Sequence, residues 1–238
     1  MGSIVSFFGA DSKCGTSQTV LSLALHLSER QPRYRVLLVH AEEDFGDDYI
    51  QDIGVSMGEI KPYLCERLWD AEEIAGDAAL KYGFGLIGGA GMLSSGSLYH
   101  PEMVGGFLTD ISAYYDFVLC DCGSDISHGL CLGALTVSDR SFAVLSQGEK
   151  ALRKYEKLKA LLGKLGLCKD GIVCCKYRDD QACDTGYMAR RLHMEKDRIF
   201  TVSCSPDGER AEFNRRPLMY FRGRKYTADI EKLSKEVF

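Results

Sequence analysis

Seven continuous apolar runs punctuate the chain, at 3–8 (SIVSFF), 35–40 (RVLLVH), 85–89 (GLIGG), 116–122 (DFVLCDC), 140–146 (RSFAVLS), 171–176 (GIVCCK) and 198–203 (RIFTVS). A strand with water on one side alternates apolar and polar residues, whereas a run apolar at every position needs cover on both faces. Between most of the runs, apolar residues recur at helical spacing: Val20, Leu21, Leu23, Ala24 and Leu27, then Val104, Phe107, Leu108 and Ile111, then Leu152, Tyr155, Leu158, Leu161, Leu162 and Leu165. Strand alternating with helix predicts an α/β fold, doubly wound, with a mainly parallel central sheet flanked by helices. The 238 residues, 45% of them hydrophobic, suit one large core. No repeat, low-complexity tract or long linker interrupts them, so a single domain over 1–238 is expected. The glycine-rich stretch at 88–97 directly follows a strand and reads as a surface loop.

Composition narrows the setting. A net charge of −5 gives no global attraction to nucleic acid or to an anionic membrane. The ten cysteines are scattered, with Cys174 and Cys175 adjacent, which fits a reducing compartment better than a disulfide scaffold. No run approaches the roughly 18 apolar residues of a membrane span, and no basic segment leads an apolar one at the N-terminus. A cytoplasmic protein without a transmembrane segment is expected. Met1 to Ser6 also matches a myristoylation pattern, but the same residues lead into the first strand.

The stretch GADSKCGTSQTVLSLALHL, Gly9 to Leu27, joins the first strand to the first helix. Small residues there let consecutive backbone N–H groups turn inward, and the helix N-terminus behind them favours negative charge. This is the context of a phosphate cradle. The pattern G-x-x-x-x-G-K-[ST] is nevertheless not met.

The loop resembles that of the MinD/ParA-type P-loop ATPases, whose deviant Walker A sequence runs K-G-G-x-G-K-[ST]. On KCGTSQT the family's signature lysine falls on Lys13, its glycines on Cys14, Gly15 and Ser17, its P-loop lysine on Gln18 and its magnesium-binding hydroxyl on Thr19. The likeness continues in order to Leu218. YDFVLCDCGSDIS resembles the second magnesium motif, with its aspartate at Asp121, and AVLSQGEKALRKYEKLKALL resembles the strand, glutamine-bearing turn and helix after it. GIVCCKY replaces the strand that ends in an adenine-contacting asparagine, here Cys175, and VSCSPDGERAEFNRRPL resembles the segment that closes around the base.

The resemblance implies ATP and Mg2+ as cofactors. Asp11, Ser12, Lys13, Cys14, Gly15, Thr16, Ser17, Gln18, Thr19 and Val20 would hold the phosphates. Cys175, Lys176, Ser205, Pro206 and Asp207 would lie around the base, and Thr19 and Asp121 would hold the metal. The catalytic residues it implies are Lys13, reaching across a homodimer, and Glu42, at the second acid of a D-x-D whose first place is His40. The degraded loop and the missing DNA-binding appendage most resemble the TadZ/CpaE proteins, which localise the assembly machinery of Tad-type pili. The receiver-like domain of many of those is absent from this sequence. That branch implies a nucleotide-dependent homodimer, a secretion or pilus ATPase or other assembly protein as partner, no specific nucleic acid, and recruitment to the inner face of the membrane or a cell pole. An active DNA-partitioning ATPase and a pseudo-ATPase scaffold are the alternatives.

The departures have chemical consequences. Gln18 offers hydrogen bonds but no charge to the phosphates, so weaker binding and slow or absent turnover are expected. By residue type alone, Thr19 also serves as an ordinary first-turn residue, Lys13 as a solvated lysine, and the group Glu42, Glu43, Asp44, Asp47 and Asp48 as an acidic loop. His40 reads as a strand-end histidine. Cys120, Cys122 and Cys131 lack metal-ligand spacing and read as small core residues. The basic helix from Lys150 to Lys164 reads as a solvated face. Ile230, Leu233, Val237 and Phe238 predict a C-terminal helix packed on the domain.

Overall fold

The computed structural model describes all residues except 31, 45, 47, 52, 79–81, 92–98, 168–169 and 238. Asp47, Phe238 and most of the glycine-rich stretch at 88–97 therefore lie outside the described residues. The described strands are β1 (Ser3–Gly9), β2 (Val36–His40), β3 (Val55–Ser56), β4 (Gly85–Gly88), β5 (Phe117–Asp121), β6 (Arg140–Ser146), β7 (Gly171–Tyr177) and β8 (Ile199–Ser203). They form one sheet in the order β3-β4-β2-β5-β1-β6-β7-β8, and every pairing is parallel. All seven predicted runs are strands. The eighth, β3, has two residues and carries too little pattern to read.

The helices are α1 (Thr16–Arg30), α2 (Met57–Glu66), α3 (Ala71–Asp77), α4 (Pro101–Ile111), α5 (Gly129–Val137), α6 (Glu149–Lys164), α7 (Thr185–Leu192), α8 (Gly208–Phe213) and α9 (Arg224–Val237). They cover both faces of the sheet. In β1, Ile4 and Phe8 face the layer that holds residues of α2, α4, α5, α6 and α7, while Val5 and Phe7 face the layer of α1, α8 and α9. Side chains of a strand alternate between faces, so a strand covered twice must be apolar throughout. In α9, Ile230, Leu233 and Val237 are buried in the α1-side core, as the helical spacing predicted, and Tyr226 is buried with them.

Topology fixes where a site can sit. From β1 the chain passes through α1 to β2 on one side, and from β5 it passes through α5 to β6 on the other. The winding reverses at β1, and in such sheets the crevice opens outside the carboxyl ends of the strands at the reversal. Those ends carry Gly9, His40, Asp121, Ser146 and the Cys175–Tyr177 stretch.

Candidate functional site

The β1–α1 connection is shaped by two residues with left-handed backbone, Lys13 at φ 56° and Gly15 at φ 107°. At Gly15 that conformation strongly favours glycine, and a Cβ there would lie 3.1 Å from the Cβ of Cys175. Helix α1 begins directly afterwards at Thr16, and its first turn closes when the Thr19 N–H donates to the Gly15 carbonyl at 3.0 Å. The N–H groups of Thr16, Ser17 and Gln18 precede any intrahelical bond and carry the positive end of the helix dipole. The thiol of Cys14 is tucked beneath, 3.2 Å from the Thr16 hydroxyl, and burial raises its pKa. Gly9 makes room for both, since a Cβ on it would meet Thr16 Oγ1 at 2.8 Å and Cys14 Sγ at 2.9 Å.

Lysines from two other elements fasten this loop. Lys176, also left-handed at φ 53°, donates from Nζ to the Lys13 carbonyl at 2.8 Å. Lys154, on the helix read as a solvated face, reaches Asp11 at 2.6 Å and through that hydrogen bond holds the Asp11 carboxyl below its usual pKa. The side chain of Lys13 itself stands exposed, and Ser12 is exposed beside it.

Gln18 and Thr19 point elsewhere. Gln18 Oε1 accepts from the Leu218 N–H at 3.0 Å, and its backbone carbonyl accepts from the Tyr226 hydroxyl at 3.4 Å. The Thr19 hydroxyl donates to the Gly15 carbonyl at 2.8 Å, lies 3.1 Å from Cys175 Sγ and is buried. The structure thus joins Thr19 to Cys175 and gives it no hydrogen bond to Asp121. Val20 is wholly within the α1-side core.

The opposite wall carries ionisable groups. Parallel pairing of β2 with β5 sets His40 beside Asp121, and the Ala41 N–H donates to the Asp121 carbonyl at 2.7 Å. His40 Nδ1 lies 3.4 Å from Asp121 Oδ2 and 4.0 Å from Glu42 Oε1. Asp121 Oδ1 accepts from the Gly123 N–H at 3.2 Å, whereas Oδ2 and both imidazole nitrogens are buried without a hydrogen-bond partner. Glu42 is pushed up to about 9, first by burial and then by the neighbouring Asp121 charge. Glycines admit this packing: a Cβ on Gly123 would fall 2.1 Å from Glu42 Oε2, and one on Gly46 would fall 2.4 Å from the His40 ring. Glu43 meets a second histidine, with His128 Nε2 at 3.5 Å. That His40 joins the acids follows from strand order, which nothing in the local sequence discloses.

The segment Ser205–Pro206–Asp207 makes its own turn before α8, with Ser205 Oγ accepting from the Asp207 N–H at 3.3 Å. No hydrogen bond joins it to the β1–α1 loop among the described residues. A separate cavity of about 440 Å³, lined in part by Tyr82, Arg210, Arg216 and Phe221, opens beyond α8. Cys120, Cys122 and Cys131 are buried; the Cys122 thiol donates to the Cys120 carbonyl at 3.9 Å, and burial pushes Cys120 up to about 12. They are inert core thiols.

A parallel sheet covered on both faces, with a tight turn feeding a helix at the reversal point, is an arrangement in which doubly wound α/β folds hold phosphate at a helix N-terminus. No family model and no curated protein matches the chain. Solved structures do. A ParA family ATPase from Chlorobium tepidum TLS superposes with a TM-score of 0.84 over 99% of both chains at 16% identity. A chain of the MinC:MinD cell division protein complex of Aquifex aeolicus gives 0.80 at 14% identity over 99% of this chain and 95% of its own. The septum site-determining protein MinD of Pyrococcus horikoshii OT3, complexed with Mg-ADP, gives 0.74 at 17% identity over 100% and 96%. The fold is that of the ParA/MinD ATPases. Among the described residues, no helix is long and apolar enough to cross a membrane.

Proposed function

We propose that the chain binds ATP with Mg2+ at the β1–α1 loop and acts as a nucleotide-dependent homodimer that localises or assembles a cellular machine. The observation that carries this is the pair of left-handed residues at 13 and 15 followed at once by the free N–H groups of α1. Anion binding there depends on backbone direction, which the replaced residues leave in place. The buried, unpartnered Asp121 Oδ2 at the crevice fits a cation beside the phosphates.

Backbone conformation also suggests a register different from that suggested by residue type. If Gly15 is the last glycine of the cradle, Thr16 holds the P-loop lysine position and Ser17 that of the magnesium hydroxyl. Gln18 then sits too far along the helix, which accounts for its contact with Leu218. In either register the loop has no lysine at the helix start. ATP hydrolysis is accordingly slow or absent, because transition-state charge on the phosphates meets only neutral donors. The exposed Lys13 supplies a cation on dimerisation, and Glu42 supplies the carboxylate for orienting water. The base lies near Cys175, Lys176 and the 205–207 turn.

We further propose, from the likeness to TadZ/CpaE proteins, that the machine is a Tad-type pilus or related secretion system, with its ATPase as a partner, and that recruitment is to the inner membrane face or a pole. The test is titration of a fluorescent ATP analogue with oligomeric state followed by light scattering. Binding and dimerisation with magnesium, both weakened by chelator, are expected. Equal binding with magnesium and with chelator removes the metal role, and no binding at all leaves a scaffold without nucleotide.

A further inference from the structure

Two carboxylates and an imidazole have been gathered where water has little access. The His40 side chain is 3% exposed, that of Asp121 is fully buried, and that of Glu42 is 22% exposed. One ligand atom from each lies within 4.8 Å of the others. Buried polar atoms in folded proteins almost always have a partner, yet Asp121 Oδ2, His40 Nδ1 and His40 Nε2 have none. The two acids lie close together, and among the described residues no lysine or arginine pairs with them: the ion pairs of this group are with each other.

We propose that His40, Glu42 and Asp121 form a binding site for a divalent transition metal that is filled without nucleotide. An imidazole nitrogen with two carboxylate oxygens selects zinc-like, borderline cations over magnesium, which prefers oxygen and water. Ligands held about 2.0–2.2 Å from one ion at tetrahedral angles stand roughly 3.4 Å apart. His40 Nδ1 and Asp121 Oδ2 already have that separation, 3.4 Å, and Glu42 Oε1 is at 4.0 Å from Nδ1. Glu42 is the most exposed of the three, so it is the arm that closes and its side is the entry path. The other two are fixed in advance. Asp121 Oδ1 is held by the Gly123 N–H, leaving Oδ2 directed at the site, and the close backbone of Gly46 pins the His40 ring. A dication balances the two carboxylates while leaving the imidazole neutral. The fourth position is left to water or an incoming ligand.

This site does not depend on the nucleotide reading, although Asp121 and Glu42 serve in both, and the experiment separates them by omitting nucleotide. Zinc chloride alone is titrated into the metal-free full chain by calorimetry, and cobalt(II) is added in parallel as a spectroscopic probe. One zinc per chain is expected, with an excess of magnesium unable to displace it. His40→Ala and Asp121→Ala should each weaken binding about tenfold or more. Glu42→Gln, at the most exposed position, should do the same in a chain whose circular dichroism is unchanged. Cobalt should give visible bands without thiolate charge transfer. The exposed thiols are controlled by the Cys65→Ser/Cys204→Ser variant, which should bind as the parent does. Absence of binding, thiolate bands, loss of binding in the cysteine variant, or unchanged affinity in His40→Ala and Glu42→Gln each overturns the proposal. Magnesium-dependent ATP binding that persists alongside any of those results leaves the nucleotide reading standing by itself.

Discussion

The two walls of the crevice are built on different principles. The β1–α1 wall is made by backbone: Lys13 and Gly15 turn left-handed, α1 opens at Thr16, and the donors are peptide N–H groups. The side chains expected to work there face away, with Gln18 on Leu218 and Thr19 on Gly15 and Cys175. The β2–β5 wall is made by side chains, His40, Glu42 and Asp121, held in a nearly dry pocket. A wall of backbone tolerates changes of residue type so long as φ and ψ survive. A wall of ionisable side chains changes its chemistry with each substitution, and an imidazole among acids alters which cation it prefers.

The largest effect that tests this contrast comes from glycines. Gly89 seats the acidic loop: the Ala90 N–H donates to the Glu42 carbonyl at 2.9 Å, and a Cβ on Gly89 would lie 1.8 Å from the Asp44 carbonyl oxygen and 2.7 Å from that of Glu42. Backbone cannot step aside as a side chain can. Gly89→Ala should therefore cost about 3 kcal/mol of stability, at the upper end of overpacking effects. Gly15→Ala meets only the Cβ of Cys175 at 3.1 Å but keeps an unfavourable φ, and should cost about 1–2 kcal/mol. Urea midpoints at constant m-value measure both. Equal costs would mean that the two walls are not packed as differently as described.

A second, smaller effect separates the walls by pH. Glu42 has its folded pKa raised to about 9, so between the ordinary carboxylate range and pH 9 the metal-free folded state holds a proton that the unfolded chain has lost. Stability then falls as pH rises through that window and levels off above it. Glu42→Gln should flatten this part of the profile and gain most over the parent at the alkaline end. Denaturant midpoints from about pH 5 to 9, with chelator present, read the slope. A parent profile rising with pH, or an unchanged slope in the variant, would show that Glu42 is not buried against Asp121.

Most of the sheet was legible because a strand covered on both faces is apolar at nearly every position, and the seven runs carry only scattered polar residues, such as Ser6 in β1 and Thr201 in β8. The helices that escaped notice had other signatures. Helix α2 is announced by Ser56 and Glu59, which form a reciprocal capping box, and α7 by Asp184, which caps the Tyr187 N–H. Helix α5, GLCLGALTV, is apolar on nearly all sides and shows no stripe. The site was read less completely, for a physical reason. Matching KCGTSQT by residue type counts side chains, whereas the cradle is defined by the sign of φ, which no residue except glycine advertises; Lys13 at φ 56° gave no sign of it. The meeting of His40 with Asp121 depends on β2 lying next to β5, a tertiary fact.

The smallest effect distinguishes the two registers of the loop. Placing the P-loop lysine at Gln18 predicts that Gln18→Lys tightens ATP binding. In the structure that substitution removes the acceptor of the Leu218 N–H, so it should cost about 1 kcal/mol of stability and leave ATP affinity unchanged. Thr16 is the first residue of α1, directly after the left-handed Gly15; its own side chain is buried against Cys14, and a lysine there has to extend past that contact to reach phosphate held by the orphan N–H groups. Thr16→Lys should therefore tighten ATP binding, by about 1 kcal/mol or roughly fivefold, the difference between a charged and a neutral hydrogen bond. The native hydroxyl lies 3.2 Å from Cys14 Sγ, so its loss is controlled by Thr16→Ala, which should change affinity little. Calorimetry with magnesium, on variants shown by thermal melts to be folded, gives the comparison. Tightening by Gln18→Lys and not by Thr16→Lys would return the loop to the register suggested by residue type. It would also mean that the Gln18–Leu218 contact gives way when ATP binds.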